Sequence, residues 1–270
     1  MAAFLIFAAA LAAFAALLWL IGAREPVYRL RADGAVWFVA VRGGGDELAP
    51  GARVLWAAQS DFAFIGAPDA YWSRFLIVTG DVETPIVEGR FEDAYAARVR
   101  LIAPPRMALG LIKLLATSGI LSRPSTDDVA ADVQSLGFHA ELMPSSAAIA
   151  TLLARPQSYA PAMVNFLRYH TDAKGERGGT GRAAYRRYGV VAMRTVYRTG
   201  GHLLFYGMVE AIFRQASGGP TMGAWDDVAA MRYPNPRAIL SMEHVPAYRA
   251  ALVHRDAGLA STMVVASTPL

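Results

Sequence analysis

Residues 202–233, HLLFYGMVEAIFRQASGGPTMGAWDDVAAMRY, contain two runs of strand-forming residues, His202–Arg214 and Trp225–Tyr233. Working outward, Ala162–His170 (AMVNFLRYH) follows the breaker Pro161 and reads as a strand. The polar, Gly-rich TDAKGERGG then leads to Thr180, an N-cap for a helix with Tyr185, Tyr188, Ala192 and Val196 near one face; Gly200-Gly201 ends it. Downstream, Asn235-Pro236 is a cap and first-turn signal. Pro246 divides that second helix, whose later piece carries Tyr248, Ala251, Leu252 and Arg255. Gly258 stops it, and Leu259–Ser267 makes a last strand. The predicted order is β-α-β-β-α-β, a ferredoxin-like unit over residues 159–267.

A displacement of 153 positions places Trp72 on Trp225, Ile86 on Ile239, Tyr95 on Tyr248 and Ala97 on Ala250. FLIVTG (75–80) then falls on the third strand and FEDAYAARVRLI (91–102) on the second helix, while ARVLWAAQSDFAFIG (52–66) resembles the 202–216 stretch. Residues 32–116 therefore read as a degenerate second copy of the unit. The copy lacks its first helix, since only GGGDELAPGA separates AVWFVAVR (35–42) from Arg53. MALGLIKLLA (107–116) reads as strand or helix. Residues 117–158 form a helical connector, with one helix from Ser125 or Thr126 through DDVAADVQSLG and another from Ser145.

Residues 1–23, MAAFLIFAAALAAFAALLWLIGA, contain no charged side chain. At about 1.5 Å of rise per residue they span roughly 30 Å of hydrocarbon. Trp19 suits an interface, and Arg24, Arg29 and Arg31 follow. The expectation is a single-pass anchor in a bacterial-type inner membrane, with the globular part in the cytoplasm by the positive-inside rule. A cleaved signal peptide is the alternative, although no Lys or Arg precedes the apolar run.

Across the 270 residues 54% are apolar and 18% charged, which excludes extended disorder. A net charge of +4 with scattered basic residues does not imply nucleic acid. The absence of cysteine excludes disulfides, thiolate metal sites and a thiol nucleophile.

The strand VNFLRYH, the AYRRYG helix, the GGHLLFYGMVE and WDDVAAMRYPN strands and the PAYRAALVHRDAG helix together resemble an uncharacterised family in the dimeric α+β barrel superfamily. Asn165, Phe166, Leu167 and Arg168 match its NLLRF-like first strand, Trp225-Asp226 its third, and Pro246-Ala247-Tyr248 its last helix, over residues 144–267. The resemblance implies an α+β fold in which two ferredoxin-like units pack as a barrel. Here one chain would supply both as a monomeric pseudo-dimer, or two chains would pair as a homodimer.

The resemblance also implies ligand positions between sheet and helices or inside the barrel, with Asn165, Arg168, Tyr185, Trp225, Arg232 and Arg255 as binding candidates. Glu210, mid-strand in apolar surroundings, and His254 are the candidate proton acceptors. Simpler readings stand beside these: an Arg-paired carboxylate at Glu210, a structural hydrogen bond at Asn165, and core packing at Tyr185 and Tyr188. Asn165 and Arg168 have opposite strand parity and cannot face the same side. No histidine spacing suggests a metal, and no nucleophile or phosphate-loop motif is present. RGGTGR (177–182) could hold an anion where it opens a helix, and a linker before a capped helix is the simpler account. The expectation is a membrane-anchored α+β barrel, without cofactor, that binds a small molecule or a protein partner. The alternative is a cofactor-independent enzyme of the monooxygenase or isomerase kind.

Overall fold

Strand-forming runs alternate with turns along most of the chain, and in the computed structural model they pair into one sheet that closes on itself. The structure describes residues 1–30, 32, 34–45, 47–129, 138–175 and 179–270. Its strands are β1 (Ala35–Arg42), β2 (Arg53–Ile65), β3 (Arg74–Gly80), β4 (Asp93–Leu101), β5 (Ala162–Tyr169), β6 (His202–Arg214), β7 (Asp227–Arg232) and β8 (Leu259–Pro269). They follow one another round the barrel as β1-β3-β2-β8-β5-β7-β6-β4, and β4 pairs back onto β1. Every pairing is antiparallel. Register shifts in the long strands β2 and β6 supply the local bends that closure needs.

This architecture corrects the expectation of two ferredoxin-like α+β units packed against each other. There is one closed eight-stranded antiparallel barrel with flanking helices. Its first four strands are joined without crossover helices among the described residues; turns and loops over 43–45, 47–52, 66–73 and 81–92 make those links. FEDAYAARVRLI, expected as a helix through the 153-residue displacement, is β4. Alanine suits either state, and the tertiary setting decided. Tyr95, Ala97 and Val99 face the barrel interior, whereas Ala94 and Ala96 pack on the outer layer with Trp37, Val39 and Leu76. MALGLIKLLA lies within a helix.

The barrel interior is filled by side chains. Phe38, Phe75, Tyr95, Phe166 and Phe205 are fully buried there, with the Phe38 and Phe166 rings edge to face at 5.3 Å. Trp72 and Trp225, each just before its strand, join the same cluster.

Outside the barrel, α1 (Ala2–Ala23) buries only Leu18 and Gly22. Helix α2 (Arg106–Thr117) packs beside it. The second half is covered by α3 (Ser146–Leu153), α4 (Gly181–Arg198), α5 (Pro236–Leu240) and α6 (Pro246–Gly258). The expected caps are in place: Ser145, Thr180 and Asn235 side chains accept from the amides of Ala148, Ala183 and Ala238. The helix expected through DDVAADVQSLG falls largely on 130–137, outside the described residues.

Candidate functional site

Strand alternation on β5 divides its side chains between two environments. Val164 and Phe166 point into the barrel, while Met163, Asn165 and Leu167 line a cavity on the outer face. The cavity has about 80 Å³ of room for the centre of a water-sized sphere and is walled by β5, β7, β8, α4 and α6. That volume holds a few waters or part of a small molecule.

Its surface is mostly apolar: aliphatic side chains are joined by Tyr185, Tyr188, Tyr233 and Tyr248 and by Met143, Met163, Met231 and Met242. The tyrosine rings follow one another at tilted angles, with centroids 5.3 Å apart for Tyr185 and Tyr188 and 5.8 Å apart for Tyr188 and Tyr248. The Tyr188 and Tyr248 hydroxyls share a buried hydrogen bond of 3.1 Å. Burial raises both phenols, and raises Tyr185 well above the ordinary value, while the Arg255 guanidinium pulls all three back in part.

Two ionisable side chains share this wall. Arg255, 9% exposed, donates from Nη1 toward the Met143 sulfur at 3.7 Å, a weak acceptor. Glu243 is 6% exposed. Asn165 donates to the Met163 carbonyl at 2.8 Å.

Behind Tyr185 the ring series continues through Tyr169, at 5.3 Å, to a buried carboxylate. Asp227 accepts from Tyr169 at 2.6 Å, from Tyr206, and from Arg182 at 2.6 Å. Burial raises the Asp227 carboxyl, and these three donors oppose the rise. Arg182 also lies 3.7 Å from Asp226, so its guanidinium already has carboxylate partners. Arg177 and Gly178 of RGGTGR lie outside the described residues.

Of the eight expected residues, the fold brings Asn165, Tyr185 and Arg255 to the cavity. Arg168 points the other way, as parity required, and lies 4.9 Å from the Trp225 ring centre. Trp225 is core, with its indole N–H on the Thr221 carbonyl at 2.8 Å. Arg232 is exposed, and His254 is half-buried on α6 away from the cavity lining. Glu210 is 42% exposed between Arg100 at 3.4 Å and Arg98 at 3.8 Å. The buried setting that would have made it a proton acceptor is absent: Val209 and Ile212 of the same strand pack on the barrel interior, while Glu210 is on the outside beside β4. Sequence reasoning missed Glu243, which sits in a short 3-10 turn with no periodic signal, and treated Tyr188 only as core.

Among the described residues no three His, Asp or Glu side chains gather as a metal site. No family model matches the chain, and no curated protein does. Two solved structures resemble part of it. One is the RPA0582 protein of unknown function from Rhodopseudomonas palustris: 28% identity, 47% of this chain, 95% of that chain and a TM-score of 0.41. The other is the methylated RPA0582 protein: 29% identity, 47% of this chain, 93% of that chain and a TM-score of 0.41.

Proposed function

We propose that this is a membrane-anchored binding protein whose ligand enters the cavity between β5, β7 and β8 and the helices α4 and α6. The ligand is small and largely apolar and carries one polar acceptor group. The observation that carries this reading is Arg255, a buried guanidinium in a mostly apolar cavity wall with a sulfur as its Nη1 partner. A carbonyl or carboxylate oxygen would be a far stronger acceptor for it.

Anchoring is supported by α1, which has an 18-residue window of mean hydropathy 2.7, only 6% buried. The chain has one such helix among the described residues. Arg24 and Arg29 at its C-terminal end favour a cytoplasmic barrel. Closure of all eight strands within one chain leaves no sheet edge for a second copy, which supports a monomer. Kinship of residues 144–267 with the dimeric α+β barrel superfamily is supported by the matching motifs at Asn165, Trp225 and Tyr248. The enzyme reading has no geometric support at Glu210 or His254, neither of which lines the cavity.

The test is native mass spectrometry of the full chain, purified from membranes in mild detergent, beside the variant Leu252→Trp. A bound small molecule present in the parent and lost from a folded variant supports the reading. An unliganded parent that also shows no thermal shift across a library of small aromatic and aliphatic acids and ketones rejects it.

A further inference from the structure

Helix α2 runs antiparallel to the C-terminal half of α1, backbone against backbone at two points. A Cβ on Gly22 would lie 1.9 Å from the Arg106 carbonyl oxygen, and one on Gly110 would lie 1.9 Å from that of Leu18. Four residues forward along α2 therefore correspond to four residues back along α1, and Thr117 stands level with residue 11. At about 1.5 Å per residue, α2 returns roughly 17 Å alongside α1. That is close to one leaflet of a roughly 30 Å hydrocarbon core.

The side chains of α2 suit that depth. Met107 and Leu111 are 45% and 40% exposed, and Ile120 just beyond the helix is 72% exposed. On the opposite side Leu109 and Ile112 pack with Tyr197, Leu203 and Met193 of the barrel and α4. Arg106, level with the end of α1, places its guanidinium 4.9 Å from the Trp19 ring centre and 5.0 Å from that of Tyr28. Interfacial aromatic rings are suited to this contact. Lys113, the charge deepest along α2, sends Nζ back to Glu25 at 2.5 Å, beyond the foot of α1.

We infer that α2 is embedded in the same leaflet as the C-terminal half of α1, with Met107, Leu111 and Ile120 against acyl chains. The occupant of this face is lipid hydrocarbon, because residues level with α1 positions 11–22 share their depth. The barrel is thereby clamped to the membrane by a helical hairpin, in a fixed orientation. The inference rests on the reading that α1 crosses the bilayer.

The chain has no cysteine, so single labels can be placed without background. Leu111→Cys and Ile120→Cys, with Phe7→Cys on α1 and Arg249→Cys on α6 as references, are labelled with an environment-sensitive fluorophore. Each full chain is reconstituted into phosphatidylcholine–phosphatidylglycerol vesicles, and quenching by aqueous iodide is compared with quenching by spin-labelled lipid. Labels at 111 and 120 should lose iodide quenching and gain lipid quenching as the label at 7 does, opposite to the label at 249. A label at 7 shielded by lipid, with labels at 111 and 120 as iodide-accessible as that at 249, overturns the inference and leaves the anchor standing. Labels at 7, 111 and 120 all in water overturn the anchor and the inference together.

Discussion

The Glu25 carboxylate accepts from His202 Nδ1 at 2.8 Å, joining the foot of the apolar helix to the first residue of β6. Tyr197 donates to the same carboxylate at 3.0 Å and Lys113 at 2.5 Å, and Glu25 is fully buried. Three elements distant in the chain are tied to α1 through one side chain.

That node should make the protein acid-sensitive. Burial alone would raise the Glu25 carboxyl, but hydrogen bonds and charge from His202 and Lys113 outweigh it and lower the group from 4.5 to about 2. The native state thus holds this proton less tightly than the unfolded chain. The stabilisation is full above 4.5 and is lost as pH falls toward about 2. Its size is on the order of 3 kcal/mol. Urea denaturation of the detergent-solubilised chain between those limits measures it, and Glu25→Gln should flatten that part of the pH profile.

Gly110→Ala should cost about 1–3 kcal/mol, far more than its improved helix propensity returns. The new Cβ meets the Leu18 carbonyl oxygen at 1.9 Å, so α1 and α2 must move apart. A glycine without such a neighbour is the control: Gly189 on α4 has open space, and Gly189→Ala should stabilise by about 0.5–1 kcal/mol. Thermal melts of the two variants should shift in opposite directions.

Tyr188→Phe leaves the Tyr248 hydroxyl without its 3.1 Å partner in a buried place, a loss of about 1–3 kcal/mol. Adding Tyr248→Phe removes the stranded hydroxyl, so the double variant should lose less than the sum of the singles. A double-mutant cycle read by denaturation supplies the coupling.

Phe38→Ala should cost about 3–5 kcal/mol. Its ring touches Phe75, Tyr95, Phe166 and Phe205 in the barrel centre, where no exposed side chain can move in to replace it. Stability rescued by benzene or xenon would show that a dry cavity had formed.

Asp227→Ala should cost about 1–3 kcal/mol, chiefly because it strands the hydroxyls of Tyr169 and Tyr206; Arg182, partly exposed, keeps Asp226 at 3.7 Å. Asp227→Asn retains an acceptor oxygen and should lose less. Comparing their denaturation midpoints separates the charge from the hydrogen bonds.

Local chemistry was enough to read α1, the strands β5 to β8 and the caps at Ser145, Thr180 and Asn235. An unbroken apolar run, period-two alternation and a capping side chain each act within a few residues. The opposite facing of Asn165 and Arg168 followed from the pleat in the same way. The β4 segment DAYAARVRL was not legible, because alanine packs equally well in a helix or between two buried layers. Nor did any local pattern mark Glu243, or show that Glu210 would lie between Arg98 and Arg100.

What this sequence determined alone is the apolar helix, the identity of most second-half elements and the absence of cysteine chemistry. The tertiary structure alone decided that the strands close into one barrel, that loops cover its first half, and that Arg255, Asn165 and the tyrosines share a cavity. It also decided that Glu25 is buried among Lys113, Tyr197 and His202. The reason is physical: strand and cap patterns are written by near neighbours, whereas sheet closure joins strands distant in the chain and the partners of the buried Glu25 carboxylate lie 88 to 177 positions away.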